Sequence, residues 1–223
     1  MTAPQPRAKQ IRLYVGDRAA FAGAISHDLR TPLTRIRFKL EAKTPDKASI
    51  LADVAQMEEM ICALLIFIRG VGESGRRERL DLLSVIECAV DDATRGGGQV
   101  RIENATPLMV NADPTALRRL FANLIDNALK YGGGAGARVF VQAGEAVVEI
   151  QDAGPGLPAP ELERVFTPFY RTDAARTLDA GGVGLGLAVA RAIARAHGGD
   201  LVLRPEATGL TAVTRLPLAH ASG

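Results

Sequence analysis

The strongest constraint on how this chain folds is an amphipathic stretch near its start, from Phe21 to Leu40. Its apolar residues recur every three or four positions, which is the period of a helix with one buried face. They are Phe21, Ile25, Leu29, Leu33, Ile36 and Leu40. At about 100° per residue, His27 falls opposite this apolar stripe, and Thr31 lies on the same side as His27. The pattern predicts a helix that packs against a partner and exposes an imidazole to water.

The neighbours of His27 favour a chemical role for its side chain. A lone histidine is most often a residue without chemistry, but Asp28 places a carboxylate beside this imidazole, a usual way to orient it and raise its basicity. Pro32 removes the helical hydrogen bond to the Asp28 carbonyl and should loosen the turn that carries His27. We therefore interpret His27 as a candidate nucleophile.

A second amphipathic helix is predicted after a break in the pattern at residues 41–47. Thr44 and Pro45 suit the cap and the first turn of a helix. The apolar residues that follow have coiled-coil spacing and are Ile50, Val54, Met57, Ile61, Leu64 and Ile68. Because the loop is short, the two helices must run antiparallel, and one hairpin buries too little apolar surface to be stable alone. We expect two hairpins to form a dimeric four-helix bundle; the alternative is a hairpin that packs against its own C-terminal domain.

The chain changes character after a glycine-containing linker at residues 73–79. The predicted helices are Leu80–Thr94, Thr115–Tyr131 and Gly186–His197. The predicted strands are Gln99–Glu103, Leu108–Asn111, Arg138–Gln142, Ala146–Asp152, Leu201–Arg204 and Leu210–Leu216. Helices gathered on a mostly antiparallel sheet define an α+β sandwich. The expected domains are an N-terminal linker (1–18), a helical domain (19–72), the second linker (73–79), an α/β sandwich domain (80–218) and a tail (219–223).

The composition is that of an ordinary globular protein, with 47% hydrophobic and 23% charged residues. A net charge of +2 gives no electrostatic reason to expect nucleic-acid binding. Cys62 and Cys88 lack the spacing of metal ligands, and we expect both to be packed thiols in a reducing compartment. There is no run of about eighteen apolar residues and no apolar core of a signal peptide, so we expect a soluble, cytoplasmic chain.

Two asparagines mark the helix predicted at Thr115–Tyr131. Asn123 and Asn127 lie four residues apart on one flank beside the apolar stripe, and Lys130 follows on the same flank. Amides are poor residues for the middle of a helix, because they favour caps and turns. Two of them together suggest ligands for a hard cation or polar contacts at the rim of a site. Taken alone, a solvated flank is the better interpretation.

Two glycine-rich segments strengthen the case for a site. The first, DAGPGLP at residues 152–158, directly follows a predicted strand and forces a tight turn. The second places Gly181, Gly182, Gly184 and Gly186 just before a helix, where free N–H groups and the positive helix end suit a phosphate. It is neither a dinucleotide motif nor a Walker motif, because no strand directly precedes it and no Gly-Lys-Ser/Thr follows. A flexible surface turn is the alternative.

Five segments, in order, resemble the sequence boxes of sensor histidine kinases. SHDLRTPL at residues 26–33 is similar to the phospho-acceptor box, most of all to that of osmosensor kinases. The segments similar to the nucleotide-binding boxes are NLIDNALKYG at 123–132 (N box), DAGPGLP at 152–158 (first glycine box), VFTPFYR at 165–171 (F box) and GGVGLGLAVA at 181–190 (second glycine box). The resemblance implies a phosphotransfer domain followed by an ATP-binding domain with the fold of gyrase-type ATPases.

The resemblance implies a phosphoryl-transfer chemistry at the N-terminal helix. His27 would attack the γ-phosphate of ATP in line, and Asp28 would take or stabilise the ring proton. The phosphoryl group would then pass to an aspartate of a response regulator. Thr31 would orient water for the reverse task of dephosphorylating that regulator, and Arg30 would be a further site residue that pairs with acidic groups.

The same resemblance assigns residues that would hold the adenine base and Mg²⁺. Asp152 would accept a hydrogen bond from the adenine amino group, with Thr211 as its supporting partner. Gly154 and Gly156 would let the backbone approach the base. Asn127 would ligate a Mg²⁺ ion that bridges the phosphates.

The phosphates themselves would be held by other residues of these boxes. Asn123 would lie close to the Mg²⁺ site, and Lys130 and Tyr131 would contact phosphates or ribose. The residues that would surround the triphosphate are Gly182, Gly184, Leu185 and Gly186.

The segment Leu157–Val183 would form a mobile lid over the nucleotide. Phe166 and Phe169 would anchor the lid by packing, and Arg171 would be a further phosphate contact. Val183 departs from the threonine that the family commonly has, which removes one hydroxyl contact to phosphate.

These expectations combine into one functional prediction. The chain would be an ATP-dependent protein-histidine kinase of a two-component system, a homodimer that phosphorylates a response-regulator receiver domain and also acts as its phosphatase. A membrane would be involved only through a sensor portion outside this chain. The alternatives are a catalytically silent dimeric adaptor and a gyrase-like ATPase. Asn127 and Asp152 argue against the first, and the His27 box argues against the second.

Overall fold

The computed structural model describes residues 30, 32–42, 46–51, 53, 54, 57, 58, 61, 76–173, 175 and 184–219. The chain divides into two compact units, Met1–Gly70 and Val71–Gly223. The predicted nucleophile His27 and its neighbours Asp28 and Thr31 lie outside the described residues, as does Gly182.

The described part of the first unit is helical at residues 30, 32–41, 47–51, 53, 54, 57, 58 and 61. Its two helical segments meet where Lys39 Nζ donates to Ser49 O at 3.2 Å and to Asp53 Oδ2 at 2.5 Å. Arg35 Nη2 lies 3.3 Å from the other oxygen of Asp53, which is only 4% exposed. Several large apolar side chains of this unit are nevertheless exposed. They are Leu33, Phe38, Leu40, Leu51, Val54 and Ile61.

The second unit has an α/β architecture with a mixed sheet. Its strands are β1 (Glu78–Asp81), β2 (Val100–Ala105), β3 (Met109–Ala112), β4 (Ala135–Gln142), β5 (Glu145–Gln151), β6 (Asp200–Pro205) and β7 (Leu210–Pro217). The helices described in this unit are α1 (Leu82–Arg95), α2 (Pro114–Gly132), α3 (Glu161–Arg164) and α4 (Gly186–Ala196). Five strands form one sheet in the order β2-β4-β5-β7-β6, and β1 pairs with β3 in a small second sheet. Only the β2–β4 pair of the large sheet is parallel, so the predicted mostly antiparallel sheet is confirmed.

Local capping signals define where α1 and α2 begin. Asp81 Oδ1 accepts hydrogen bonds from the Leu83 N–H at 3.1 Å and the Leu108 N–H at 3.0 Å, so it caps α1 and ties it to the loop before β3. Asp113 caps α2 in the same way, and Pro114 occupies its first turn. The prediction that α1 starts at residue 80 was wrong by two residues, because residues 78–81 pair with β3 instead.

The core of this unit lies between the helices and one face of the large sheet. The largest fully buried side chains of the helices are Leu82, Ile86, Leu117, Leu120, Phe121, Leu124 and Ile125, and those of the strands are Ile150, Leu201 and Leu216. Burying one such side chain contributes about 1.5–3 kcal/mol to folding. This core fixes the positions of α2 and α4 relative to the strands.

Two expectations about α1 and the membrane have direct outcomes. Cys88 is exposed on α1, so the predicted packed thiol is wrong at this position. The buried face of the helix is formed by Ile86, Ala89 and Val90, and Cys88 falls outside it. Cys62 lies outside the described residues. None of the helices within the described ranges is long and apolar enough to cross a membrane.

Candidate functional site

The polar flank of α2 is the centre of the candidate site. Asn123 and Asn127 are half-buried there, and neither side-chain amide hydrogen-bonds to a residue that the structure describes. The start of α4 lies beside this flank: a Cβ added to Gly186 would be 3.7 Å from Asn123 Oδ1. The Asn123 amide, which has no hydrogen-bond partner among the described residues, therefore lies next to the N-terminus of α4.

The first glycine box lies against the C-terminal end of α2. A Cβ on Gly132, the last residue of α2, would stand 2.7 Å from the Asp152 Cβ. A Cβ on Gly154 would stand 2.7 Å from the Tyr131 carbonyl oxygen. Only glycine permits these approaches, so the loop after β5 is held directly against the C-terminal end of α2.

The Asp152 carboxylate is held by one oxygen. Its Oδ1 accepts from the Gly154 N–H at 2.8 Å and from the Leu210 N–H at 3.3 Å. The Asp152 N–H donates to the Leu210 carbonyl at 2.9 Å. Oδ2 receives no hydrogen bond from any described residue, so a fixed carboxylate presents one acceptor for a ligand.

The predicted support of Asp152 by Thr211 is not what the structure shows. The Thr211 hydroxyl is fully buried and donates to Glu206 Oε1 at 3.0 Å. Thr211 pairs with Gln151 across β5 and β7, and successive side chains of a strand point to opposite faces of the sheet. Asp152 follows Gln151 and therefore faces the helices, whereas Thr211 faces away. The neighbouring Leu210 backbone supplies the contact instead.

The second glycine box is joined to the F box by a backbone hydrogen bond. The Phe169 N–H donates to the Gly184 carbonyl at 3.0 Å. Gly184 has φ +76°, and a Cβ there would lie 2.7 Å from the Tyr170 carbonyl oxygen, so this crossing requires glycine. Gly156 in the first box also has a positive φ, of +72°.

The N-terminus of α4 has no side-chain cap. Leu185 occupies the cap position and makes no side-chain hydrogen bond, and the first turn carries no acidic residue. The first N–H groups of a helix have no partner within the helix, and they carry the positive end of its dipole. This end of α4, beside Asn123, is therefore suited to an anion.

Three other predicted site residues, Lys130, Arg171 and Arg30, have described surroundings of their own. Lys130 lines a cavity of about 810 Å³ between α1 and α2 with Asp126, and its Nζ lies 5.4 Å from the centroid of the Tyr131 ring. Burial raises the pKa of the Asp126 carboxyl above its ordinary value. Arg171 donates to the Ala175 carbonyl oxygen. Arg30 of the first unit is exposed.

Sequence reasoning missed a buried polar cluster around Arg191 of α4. Arg191 is 9% exposed and contacts Asp200, Glu163 and the Phe166 ring. The signal available in the sequence was an arginine among the apolar residues of α4, at a position where a helix face is buried. The Phe166 ring packs against this cluster, and its role as an anchor of a lid stays a prediction.

The fold and the site have clear relatives among known proteins. Residues 112–220 match the family described as histidine kinase-, DNA gyrase B-, and HSP90-like ATPase. The chain is 34% identical over 214 residues to the sensor histidine kinase GtrS of Pseudomonas aeruginosa, covering 94% of this chain and 44% of that protein. It is also 34% identical to the sensor protein CutS of Streptomyces coelicolor, covering 89% of this chain and 52% of CutS. The chain thus spans about half of the length of these two relatives.

Two solved structures extend this comparison. The mycobacterial sensor histidine kinase MprB superposes with a TM-score of 0.57 at 30% identity, covering 65% of this chain and 99% of that one. The ATP-binding domain of PrrB from Mycobacterium tuberculosis superposes with a TM-score of 0.55 at 26% identity, covering 66% of this chain and 100% of that one. The chain belongs to the sensor histidine kinase family, and its second unit is an ATP-binding domain of the histidine kinase and gyrase type.

Proposed function

We propose that the protein is a two-component histidine kinase that phosphorylates itself on His27 with ATP and passes the phosphoryl group to an aspartate of a response regulator. One observation carries the ATP-binding part of this proposal. The first glycine box lies against the C-terminal end of α2 at Gly132, and the start of α4 lies beside Asn123 of the same helix. Half-buried polar groups there have no partner among the described residues, so they can contact a ligand.

The adenine base would bind at the C-terminal end of α2, beside the first glycine box. Asp152 Oδ2 would accept a hydrogen bond from the exocyclic amino group, because Oδ1 is already occupied by two backbone donors. Gly154 and Gly156 would allow the base to lie close to the backbone, as only residues without a Cβ can. Tyr131 and Lys130 would contact ribose or phosphate nearby.

The phosphates would bind at the other end, near the start of α4. Gly184, Leu185 and Gly186, with Gly182, would offer backbone N–H groups at the positive end of the helix. The Asn127 side-chain oxygen would hold Mg²⁺, with Asn123 beside it, and amide oxygens are ligands that this cation accepts. The ion would neutralise charge on the phosphates.

The chemistry would then be an in-line phosphoryl transfer. An imidazole nitrogen of His27 forms a bond to the γ-phosphorus as the bond from that phosphorus to the β–γ bridging oxygen breaks, and ADP leaves. Asp28 takes the displaced ring proton or stabilises it. The resulting phosphohistidine donates its phosphoryl group to the receiver aspartate, and Thr31 orients water when the regulator is dephosphorylated.

The first unit would form an antiparallel hairpin and dimerise as a four-helix bundle. The exposed apolar side chains of its described helical segments, such as Phe38 and Leu51, support this part of the proposal, because pairing two hairpins would bury them. The chain would act on the cytoplasmic side, as part of a membrane sensor like the relatives it matches. Its segment SHDLRTPL at residues 26–33 would accept the phosphoryl group as the similar segment of osmosensor kinases does.

The test is labelling with ATP that carries radioactive γ-phosphate, in the presence of Mg²⁺. The wild type is expected to acquire a label that is lost in acid and stable in base, as a phosphohistidine is. H27A should remove the label while ATP binding, measured by calorimetry, stays within about twofold of the wild type. N127A should lose both the label and the binding.

Two outcomes would contradict the proposal. An acid-stable label would point to a different acceptor residue. Full ATP binding by N127A would mean that the nucleotide binds elsewhere. The response-regulator step is tested separately. The purified phosphoprotein should transfer its label to a receiver domain, and T31A should remove the label from that receiver more slowly than the wild type does.

A further inference from the structure

A buried arginine joins α4 to two other parts of the second unit. Arg191 Nε and Nη2 donate to Oδ1 and Oδ2 of Asp200 at 3.0 and 3.4 Å. Its third nitrogen, Nη1, donates to Glu163 Oε1 at 2.5 Å. The guanidinium carbon lies 4.4 Å from the centroid of the Phe166 ring, within the range of a cation–π contact. All three nitrogens and one face of the guanidinium are therefore engaged.

The chemistry of this cluster requires an arginine. A buried cation is costly unless it is paired, and here two carboxylates pair with it. The flat fork of a guanidinium can contact Asp200 with two nitrogens and Glu163 with the third, which a single ammonium group cannot do. Although burial acts to raise the pKa of Asp200, hydrogen bonds from Arg191, Arg195 and the Leu201 N–H hold it below its ordinary value.

Glu163 and Phe166 belong to the segment that leads from the first glycine box to the second. Glu163 is part of α3, and Phe166 follows it in the F box. Three residues further on, the Phe169 N–H donates to the Gly184 carbonyl, immediately before α4. Arg191 thus holds Glu163 and Phe166 on α4, and the Phe169–Gly184 bond joins the same stretch, residues 161–170, to the chain just before α4.

We propose that Arg191 is a positioning residue for the nucleotide. By holding residues 161–170 against α4, it sets where Gly184 lies relative to Asn123, and so determines the affinity for ATP without touching it. This inference rests on the proposed ATP site. It assigns to α4 a role in holding residues 161–170 that is carried by a side chain rather than by its backbone.

The chain offers a matched control on the same helix. Arg195, one turn further along α4, also makes a two-nitrogen contact with Asp200, at 2.9 and 3.3 Å. Its side chain is 55% exposed, and it contacts neither Glu163 nor Phe166 within the described part of the chain. Replacing it removes the same charge and the same carboxylate partner, but leaves the anchor of the segment intact.

The experiment compares R191M with R195M in ATP-dependent autophosphorylation. R191M is expected to raise KM for ATP about tenfold, which corresponds to about 1.4 kcal/mol of binding free energy, with kcat within about twofold of the wild type. R195M should leave both constants within about twofold. E163Q removes only the negative charge of the exposed partner of Arg191 and keeps an acceptor oxygen, and it should raise KM about threefold.

A second measurement does not depend on activity. Hydrogen exchange at residues 161–170, without nucleotide, should be faster in R191M than in R195M. Equal exchange in the two variants, or a loss of kcat with KM unchanged, would overturn the positioning role. If the wild type binds no ATP, the proposed function fails, whereas faster exchange with an unchanged KM would refute only the role of Arg191.

Discussion

The two ends of α4 differ in how their polar groups are satisfied. At the C-terminal end, His197 is 5% exposed and both of its ring nitrogens are used. Nδ1 donates to the Ile193 carbonyl at 2.8 Å, and Nε2 accepts the Asp113 N–H at 3.1 Å. The Ala196 carbonyl accepts from Arg77 Nη2 at 2.5 Å. This end of the helix is joined to the cap of α2 and to the segment that enters the unit.

The N-terminal end shows the opposite pattern. Among the described residues, no side chain caps α4 at Leu185 and none hydrogen-bonds to the Asn123 amide, which lies beside Gly186. The same contrast separates Asp113, whose carboxylate caps α2, from Asp152, which keeps one oxygen without a described partner. The ring nitrogens of His197 and the Asp113 carboxylate are thus paired where they join elements of the scaffold, whereas Asn123 and Asp152 Oδ2 have no described partner where a ligand is proposed to bind.

The largest expected effect on stability is at the C-terminal end of α4, which we call the closed end because its polar groups are paired. A Cβ on Gly199 would lie 1.8 Å from the Arg215 carbonyl oxygen of β7, so G199A must displace backbone. We expect a loss of at least about 3 kcal/mol in the free energy of unfolding, measured by urea denaturation. A variant as stable as the wild type would show that this end is not closely packed.

A smaller loss of stability is expected where α4 is bonded to α2. H197L leaves the buried Asp113 N–H without an acceptor, which should cost about 1–3 kcal/mol in the free energy of unfolding. H197Q keeps an acceptor in the side chain and should lose less. The comparison of the two denaturation midpoints checks this, and equal midpoints would mean that the Asp113 bond does not matter.

The open end should respond in binding rather than in stability. At Gly186 an added Cβ meets only ordinary van der Waals contact with Asn123, so G186A should change the free energy of unfolding by less than about 1 kcal/mol. The methyl group would stand between the helix end and the amide, and we expect the Kd for ATP to rise about tenfold. G199A should affect mainly the free energy of unfolding, and G186A mainly the Kd for ATP. The two variants together therefore distinguish residues that stabilise the fold from residues that bind the nucleotide.

The smallest effect concerns the pH dependence of stability at Asp200, just after the closed end. Its pKa is lowered in the folded state, so its ion pairs stabilise the protein above the ordinary Asp pKa of about 3.9 and are lost as the pH falls below it. Because this carboxylate is partly exposed, the contribution should be about 1 kcal/mol or less. Between pH 6 and pH 3, the free energy of unfolding of the wild type should therefore fall slightly more than that of D200N. An equal fall in the two proteins would contradict this.

The parts of the fold that the sequence predicted are those encoded by neighbouring residues. The pair Asp113-Pro114 marked the start of α2, and a residue with φ +71° at Gly133 ends it, so both limits have local causes. β1 was not predicted, because its four residues are a strand only through pairing with β3. α3 has four residues between prolines and a turn, too few for a periodic pattern.

The glycine positions of the candidate site, which depend on the backbone, could be predicted from the sequence. The contacts that depend on the direction of a side chain were harder to predict. Gly132, Gly154 and Gly184 are required by close approaches that a glycine-rich sequence already suggests. The role of Thr211 was misjudged because the strand register, which the sequence does not reveal, turns it to the other face of the sheet. Arg191 was missed because its partners, such as Glu163 in α3, are distant in sequence.

The central claim is that ATP binds across the open end of α4, and hydrogen exchange with and without ATP and Mg²⁺ tests it most directly. We expect the nucleotide to slow exchange at residues 184–189 and 152–156, and to leave residues 193–199 at the closed end unchanged. Equal protection at both ends of α4, or none at its first turn, would contradict the account.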